Sequence, residues 1–261
     1  MHIHVRNERE IGQLFSALAV EGAMVAPRGA TTLELENLTY TVAPYVRYNT
    51  YKARGLKLDY IKREIAWYIK ADRGDLSIAE YAKMWGPMVK DGILNSCYGF
   101  YWFRRFTGVA SIIRILCEDP DSRRAVIPMY GTEPAHHDVD VRDVPCTTSV
   151  EFRIRNNLLN VRFIMRSQDA VLGMGNDLPT FSFLQEVVAR LLGIELGTLT
   201  VAVGSFHVYE RHFPMLHEII ARNPKFITVD EMPKLTKADA EAISKCHLPL
   251  HGAFSKWLGE V

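Results

Sequence analysis

Cys146 stands directly after a proline, and Arg166-Ser167 and Asp177 follow it within the stretch 145–177. Together they offer a nucleophile, an anion clamp and a carboxyl that reads hydrogen-bonding groups on a ring. A free thiol ionises near pH ~8.5, so a nucleophilic cysteine needs positive charge beside it. Arg166 supplies that charge if the chain folds back between the two positions. Arg28 sits in a Pro-Arg-Gly turn, and Arg123-Arg124 sit on a loop after Asp119-Pro120-Asp121. Guanidinium forks of this kind bind oxyanions at two points. His207 and Tyr209 are two apart, so in an extended segment they share one side, where they suit a sugar hydroxyl. Each signal has a plain structural alternative, namely buried reduced thiols or solvated surface arginines. Their combination points to a nucleotide.

The elements that must position these groups follow from patterning. From Thr148 the chain reads as a β-hairpin with its turn at Asn156-Asn157 and Arg166-Ser167 at its exit: Val150, Phe152 and Ile154 alternate with Glu151, Arg153 and Arg155, and Leu159, Val161 and Phe163 resume the pattern. A helix is expected over 177–192, with Phe181, Leu184, Val188 and Leu191 inward and Gly193 as its stop. Strands are expected over 31–42, broken near Glu36-Asn37, over 125–129, and from 198 through Gly204. Further helices are expected over 8–21, capped by Asn7, and over 59–70, 77–85, 111–117, 210–222 and 236–246, the last capped by Thr236. In the 59–70 helix Ile61, Ile65, Tyr68 and Ile69 form one stripe, and Glu64 falls on it. A carboxylate there is costly unless paired or protonated, so Glu64 is either an edge residue reaching water or a functional one.

Composition narrows the classes. The 261 residues carry 31 basic and 30 acidic side chains, which argues against bulk attraction to nucleic acid or membranes. Cysteines at 97, 117, 146 and 246 have neither metal-ligand spacing nor the density of a disulfide framework. No apolar run approaches the ~18–20 residues that span a bilayer, and no secretory leader is visible. A single domain over 1–261, cytoplasmic and without a metal, is the expectation.

Pro145-Cys146, Met165-Arg166-Ser167-Gln168-Asp169 with Leu172-Gly173, Gly204-Ser205-Phe206-His207-Val208-Tyr209, Asp119-Pro120-Asp121-Ser122-Arg123-Arg124, Tyr98-Gly99 and Glu64 in its helix resemble the thymidylate synthase superfamily. The resemblance runs in order from Arg28 to about His212. It implies an α+β fold, a large twisted mixed sheet flanked by helices, dimerising through the sheet. It implies that Cys146 adds to C6 of a pyrimidine nucleoside monophosphate. Arg28, Arg166 and Ser167 would hold the phosphate, joined by Arg123 and Arg124 from the other subunit of a homodimer. His207 and Tyr209 would hold the sugar 3′-hydroxyl, Tyr98 would join the water network that removes the C5 proton, and Glu64 would govern proton transfers. Asp169 would contact the co-substrate 5,10-methylenetetrahydrofolate, and Trp85 would line its site.

One departure bears on the substrate. The methylating synthases carry asparagine where this chain has Asp177. An amide matches the N3–H and O4 of uracil, whereas a carboxyl accepts from the C4 amino group of cytosine and, when protonated, also serves N3. Thr147-Thr148, Asn95-Ser96-Cys97-Tyr98-Gly99, Tyr60-Ile61-Lys62-Arg63-Glu64 and Val203-Gly204-Ser205 resemble the phage deoxycytidylate hydroxymethylase branch. The expectation is therefore hydroxymethylation of dCMP at C5, with water captured in place of a hydride. CMP as substrate, or methylation of dUMP, is the alternative. Other classes are a non-catalytic nucleotide- or RNA-binding homologue, and a thiol hydrolase pairing Cys146 with His136 or His137, which read as surface loop residues.

Overall fold

The computed structural model describes residues 1–259. Its centre is a seven-stranded mixed sheet. In chain order the strands are β1 (His2–Val5), β2 (Ala23–Val25), β3 (Thr32–Val42), β4 (Val126–Pro128), β5 (Thr147–Arg155), β6 (Leu158–Asp169) and β7 (Glu195–Tyr209). Their spatial order is β1-β3-β7-β6-β5-β4, with β2 paired to β3. The β1·β3 and β6·β7 pairs are parallel, and the rest are antiparallel. Helices α1 (Gly12–Glu21), α2 (Leu58–Lys70), α3 (Ser77–Tyr81), α4 (Val109–Glu118), α5 (Gly173–Leu192), α6 (Phe213–Ile219), α7 (Lys237–Ser244) and α8 (Gly252–Leu258) flank it. None of the helices among the described residues is long and apolar enough to cross a membrane.

The expected hairpin is β5–β6. Asn156 and Asn157 have φ of 53° and 58°, the left-handed pair that a tight two-residue turn demands. Since β6 and β7 run parallel, a crossover must join them, and α5 is that crossover. Helix α5 is buried nearly all round because it separates two apolar layers. Phe181 stacks on Phe163 of the sheet at 3.8 Å, whereas Phe183 faces Phe254 of α8 at 5.9 Å. The second layer holds Ile61, Ile65 and Ile69 of α2 with Val187, Ala240, Ile243 and Trp257. Burying each large apolar side chain stabilises by roughly 1.5–3 kcal/mol, so α5 and the sheet are fixed relative to each other.

Several boundaries differ from expectation. Helix α5 starts at Gly173, four residues early, because Asp169 accepts the N–H groups of Val171 and Leu172 and turns the chain straight into it. Residues 8–11 form a 3-10 turn ahead of α1, although Asn7 caps it as expected, accepting from Arg9 N–H. The 77–85 helix stops at Tyr81, and a separate 3-10 segment, Lys83–Met88, holds Trp85. The 210–222 segment is a 3-10 turn followed by the short α6. Strand β3 runs unbroken past Glu36, with the irregularity confined to Asn37 at φ 55°. Thr236 caps α7 in a capping box with Asp239. Strands β1 and β2 and helix α8 carry no sequence pattern strong enough to announce them.

Candidate active site

Four neighbouring strands deliver the site, and their register does the positioning. Thr147 pairs with Met165, so Cys146 lies against Arg166, whose N–H donates to the Cys146 carbonyl at 2.9 Å. One strand further, Ser167 pairs with Ser205 and Asp169 with His207. On the next strand Glu34 pairs with His207 and Thr32 with Tyr209. Alternation then aims these side chains at one face.

The Arg166 guanidinium folds back over the chain before β5. It donates to the carbonyls of Val144 and Pro145 at 2.9 and 3.1 Å and places Nη2 3.7 Å from the Cys146 sulfur. Ser167 Oγ is 3.6 Å from the same sulfur. Burial pushes the Cys146 thiol up, while the Arg166 charge and the Ser167 hydroxyl pull it down.

Beside the thiol opens a cavity of ≈ 400 Å³ whose wall includes Arg28, Arg142, Arg166, Ser167, His207 and Tyr209. Arg28 holds a left-handed φ of 53° in its turn. The rings of His207 and Tyr209 meet edge to face at 5.3 Å, so the same-side reading holds. A basic end beside a histidine–tyrosine pair is chemically suited to a phosphorylated sugar.

Two acidic groups lie outside the lining of that cavity. Asp177 is in the second turn of α5, and Glu64 is buried on α2. Desolvation dominates at both, pushing Asp177 up to about 7 and Glu64 up to about 8. Glu64 does not reach water. Tyr60, one turn earlier, donates to its Oε1 at 2.8 Å, and Trp85 donates to the Tyr60 hydroxyl at 3.0 Å. Tyr98 stacks on Tyr68 at 5.5 Å and accepts the Thr147 N–H at 3.2 Å, next to the nucleophile.

Arg54, within electrostatic reach of Asp169, Glu64 and Asp177, is a cation that the sequence did not single out. It is buried, donates to the Leu172 carbonyl at 3.1 Å and to the Asn176 side chain at one nitrogen, and leaves Nε without a partner among the described residues. Burial lowers its pKa to about 10, with Asp169 first among the charges opposing that fall. Gln168, Tyr40, Glu34 and Arg142 were also missed, though each sits on a face that alternation or a nearby motif defines.

The arginines expected to serve the other subunit of a dimer lie apart from this cavity. Arg123 and Arg124 are exposed on the loop before β4 and do not line the cavity of their own chain. His136 is not the surface residue its polar loop suggests. It is buried, 3.0 Å from the Tyr101 hydroxyl, and its Nδ1 accepts the Gly131 N–H, so it anchors the loop beside the cavity. His137 is exposed. No cluster of three or more His, Cys, Asp or Glu that could hold a metal occurs among the described residues.

A mixed sheet presenting a thiol, a guanidinium and a sugar-type pair on successive strands, with two protonatable carboxyls behind them, narrows the class. Residues 29–248 match the family model described as thymidylate synthase, and the chain belongs to the thymidylate synthase family. It is similar to the deoxyuridylate hydroxymethyltransferase of Bacillus phage SP01, 29% identical over 212 residues, covering 75% of this chain and 55% of that protein. The chain thus spans about half the length of that curated relative.

Proposed function

We propose that this chain is a single catalytic domain that hydroxymethylates dCMP at C5, using 5,10-methylenetetrahydrofolate and water. The observation that carries the reading is the Cys146 sulfur held 3.7 Å from the guanidinium of Arg166, which lines the arginine-rich cavity, with the protonatable Asp177 near enough to act on the thiol. Binding alone requires no such thiol. The hydroxymethyl outcome is supported by the name of the phage relative.

In this reading Arg28, Arg166 and Ser167 hold the phosphate, and His207 and Tyr209 hold the sugar. Arg123 and Arg124 reach the site of a second subunit in a homodimer formed through the sheet. Cys146 adds to C6, and the electron pair displaced toward C5 makes that carbon the attacking atom. Asp177 accepts from the C4 amino group and shares a proton with N3, which takes up the charge the addition creates. The folate, when bound, supplies the one-carbon unit. In this reading Trp85, Arg54 and Asp169 hold it. Tyr98 helps remove the C5 proton. Glu64, neutral below about 8, orients the water that attacks the exocyclic carbon.

A second reading has dUMP as substrate, because the phage relative is named for deoxyuridylate. A neutral carboxyl can also satisfy N3–H and O4 of uracil, so only turnover separates the two. Release of C5 tritium from dCMP, dUMP, CMP and UMP in the presence of methylenetetrahydrofolate tests the choice. The proposal expects release from dCMP foremost. Release from dUMP alone would replace it with the second reading.

A further inference from the structure

Glu34 lies on β3 directly opposite His207 of β7, half-buried in the wall of the same cavity. Its Oε1 accepts the hydroxyl of Ser205. Ser205 Oγ is 3.4 Å from Nδ1 of His207, and the Ser205 carbonyl oxygen is 3.3 Å from the same nitrogen. A serine hydroxyl has one proton to give. While Glu34 takes it, Oγ offers Nδ1 only lone pairs, and the carbonyl can offer nothing else. Two acceptors therefore face Nδ1, so a neutral imidazole keeps its proton there and leaves a lone pair on Nε2.

We infer that Glu34 is a positioning residue which, through Ser205, sets the tautomer of His207 so that Nε2 accepts from a sugar hydroxyl of the nucleotide. The ligand rests on the reading proposed above, whereas the tautomer does not. Selectivity follows, because a hydroxyl that must donate to His207 cannot be replaced by a group that only accepts. The carboxylate comes from the neighbouring strand, 171 positions away from the serine it engages.

Nitrogen NMR of the ligand-free full chain at about pH 8, where ordinary imidazoles are neutral, reads the tautomer directly. The native protein is expected to show His207 protonated at Nδ1, and Glu34→Gln, whose amide oxygen still accepts from Ser205, the same. In Glu34→Ala the freed hydroxyl donates to Nδ1, and the proton moves to Nε2. Adding Ser205→Ala to that variant leaves only the carbonyl acceptor and returns the proton to Nδ1. Glu34→Met, which retains side-chain volume, carries the same expectation as Glu34→Ala. An unchanged tautomer in both Glu34→Ala and Glu34→Met overturns the inference.

Binding gives the second readout. The native chain should prefer dCMP over its 3′-fluoro analogue by about tenfold, the worth of one hydrogen bond, and Glu34→Ala should erase that preference. An equal loss for both nucleotides would make Glu34 merely structural and overturn its role. If neither nucleotide bound the native chain, the nucleotide reading would fall, and the imidazole spectrum would still decide the role of Glu34.

Discussion

Gln168 donates its side-chain amide to Oδ2 of Asp177 at 2.8 Å. The amide is oriented from its other end, where the buried Tyr40 hydroxyl donates to Gln168 Oε1 at 2.9 Å. A phenol can give that proton only to the carbonyl end, so the NH₂ end must face Asp177. One lone pair of Oδ2 is thus committed to the protein, which leaves Oδ1 and the second lone pair of Oδ2 for a ligand. Asp177 is fixed by a relay across β3, β6 and α5.

Asp177 is pushed up to about 7, so below that pH it carries the proton that N3 of cytosine would share. Above it, binding must take a proton from solution. Affinity for dCMP is therefore expected to fall as pH rises through about 7, with proton uptake visible by calorimetry in buffers of different ionisation enthalpy. Asp177→Asn should abolish the uptake and shift preference toward dUMP. Uptake that persists in Asp177→Asn would move the proton to another group.

The guanidinium 3.7 Å from the Cys146 sulfur favours the thiolate, whereas burial disfavours it. Removing that charge in Arg166→Ala leaves only the Ser167 hydroxyl to oppose burial. The midpoint of the pH profile for alkylation of Cys146 by iodoacetamide should move upward, and turnover should fall by at least ~100-fold, the scale on which positioned catalytic groups act. An unmoved midpoint would mean that Arg166 serves only the phosphate.

Glu64 stands at about 8 in the folded chain, against ~4.3 for an unfolded glutamate. Between those values the folded state holds a proton that the unfolded state has released. Stability from this group is complete below the lower value and is lost as pH rises through the upper one. Glu64→Gln should match the native chain in denaturant midpoint near pH ~4 and exceed it above pH ~8, while losing activity. A midpoint difference that does not grow with pH would contradict a buried, proton-bearing Glu64.

Gly175 leaves room for Arg54. A Cβ there would lie 2.2 Å from the Arg54 Nε, and Arg54 is held in place by Leu172 and Asn176. Gly175→Ala should cost about 1–3 kcal/mol in thermal unfolding, as overpacking does, and should weaken folate binding more than nucleotide binding. A variant with native melting and native folate affinity would show that Arg54 is free to move.

What sequence could reveal divides along a physical line. Cys146, Arg166, Ser167, His207 and Tyr209 were legible because strand alternation and the short β5–β6 hairpin relate them locally. Glu64 was legible as an anomaly on an apolar stripe. Tyr40 and Gln168 meet across 128 positions, and Arg54 reaches Leu172 across 118, so only the sheet register and the α5 crossover bring them together. His136 was misjudged because polar neighbours disguise a buried anchor. The early start of α5 was missed because Gly173 and Gly175 are poor helix formers, and the Asp169 turn outweighs their propensity.

We propose that Cys146 activates a cytosine selected by Asp177 and that water, oriented by Glu64, takes the place of a hydride at the carbon carried by C5. The decisive measurement is mass analysis of the product formed from dCMP and methylenetetrahydrofolate in water enriched with heavy oxygen. The expected product is 5-hydroxymethyl-dCMP bearing the heavy oxygen, with tetrahydrofolate released. A methylated product without oxygen, or conversion of dUMP with dCMP untouched, would overturn the proposal.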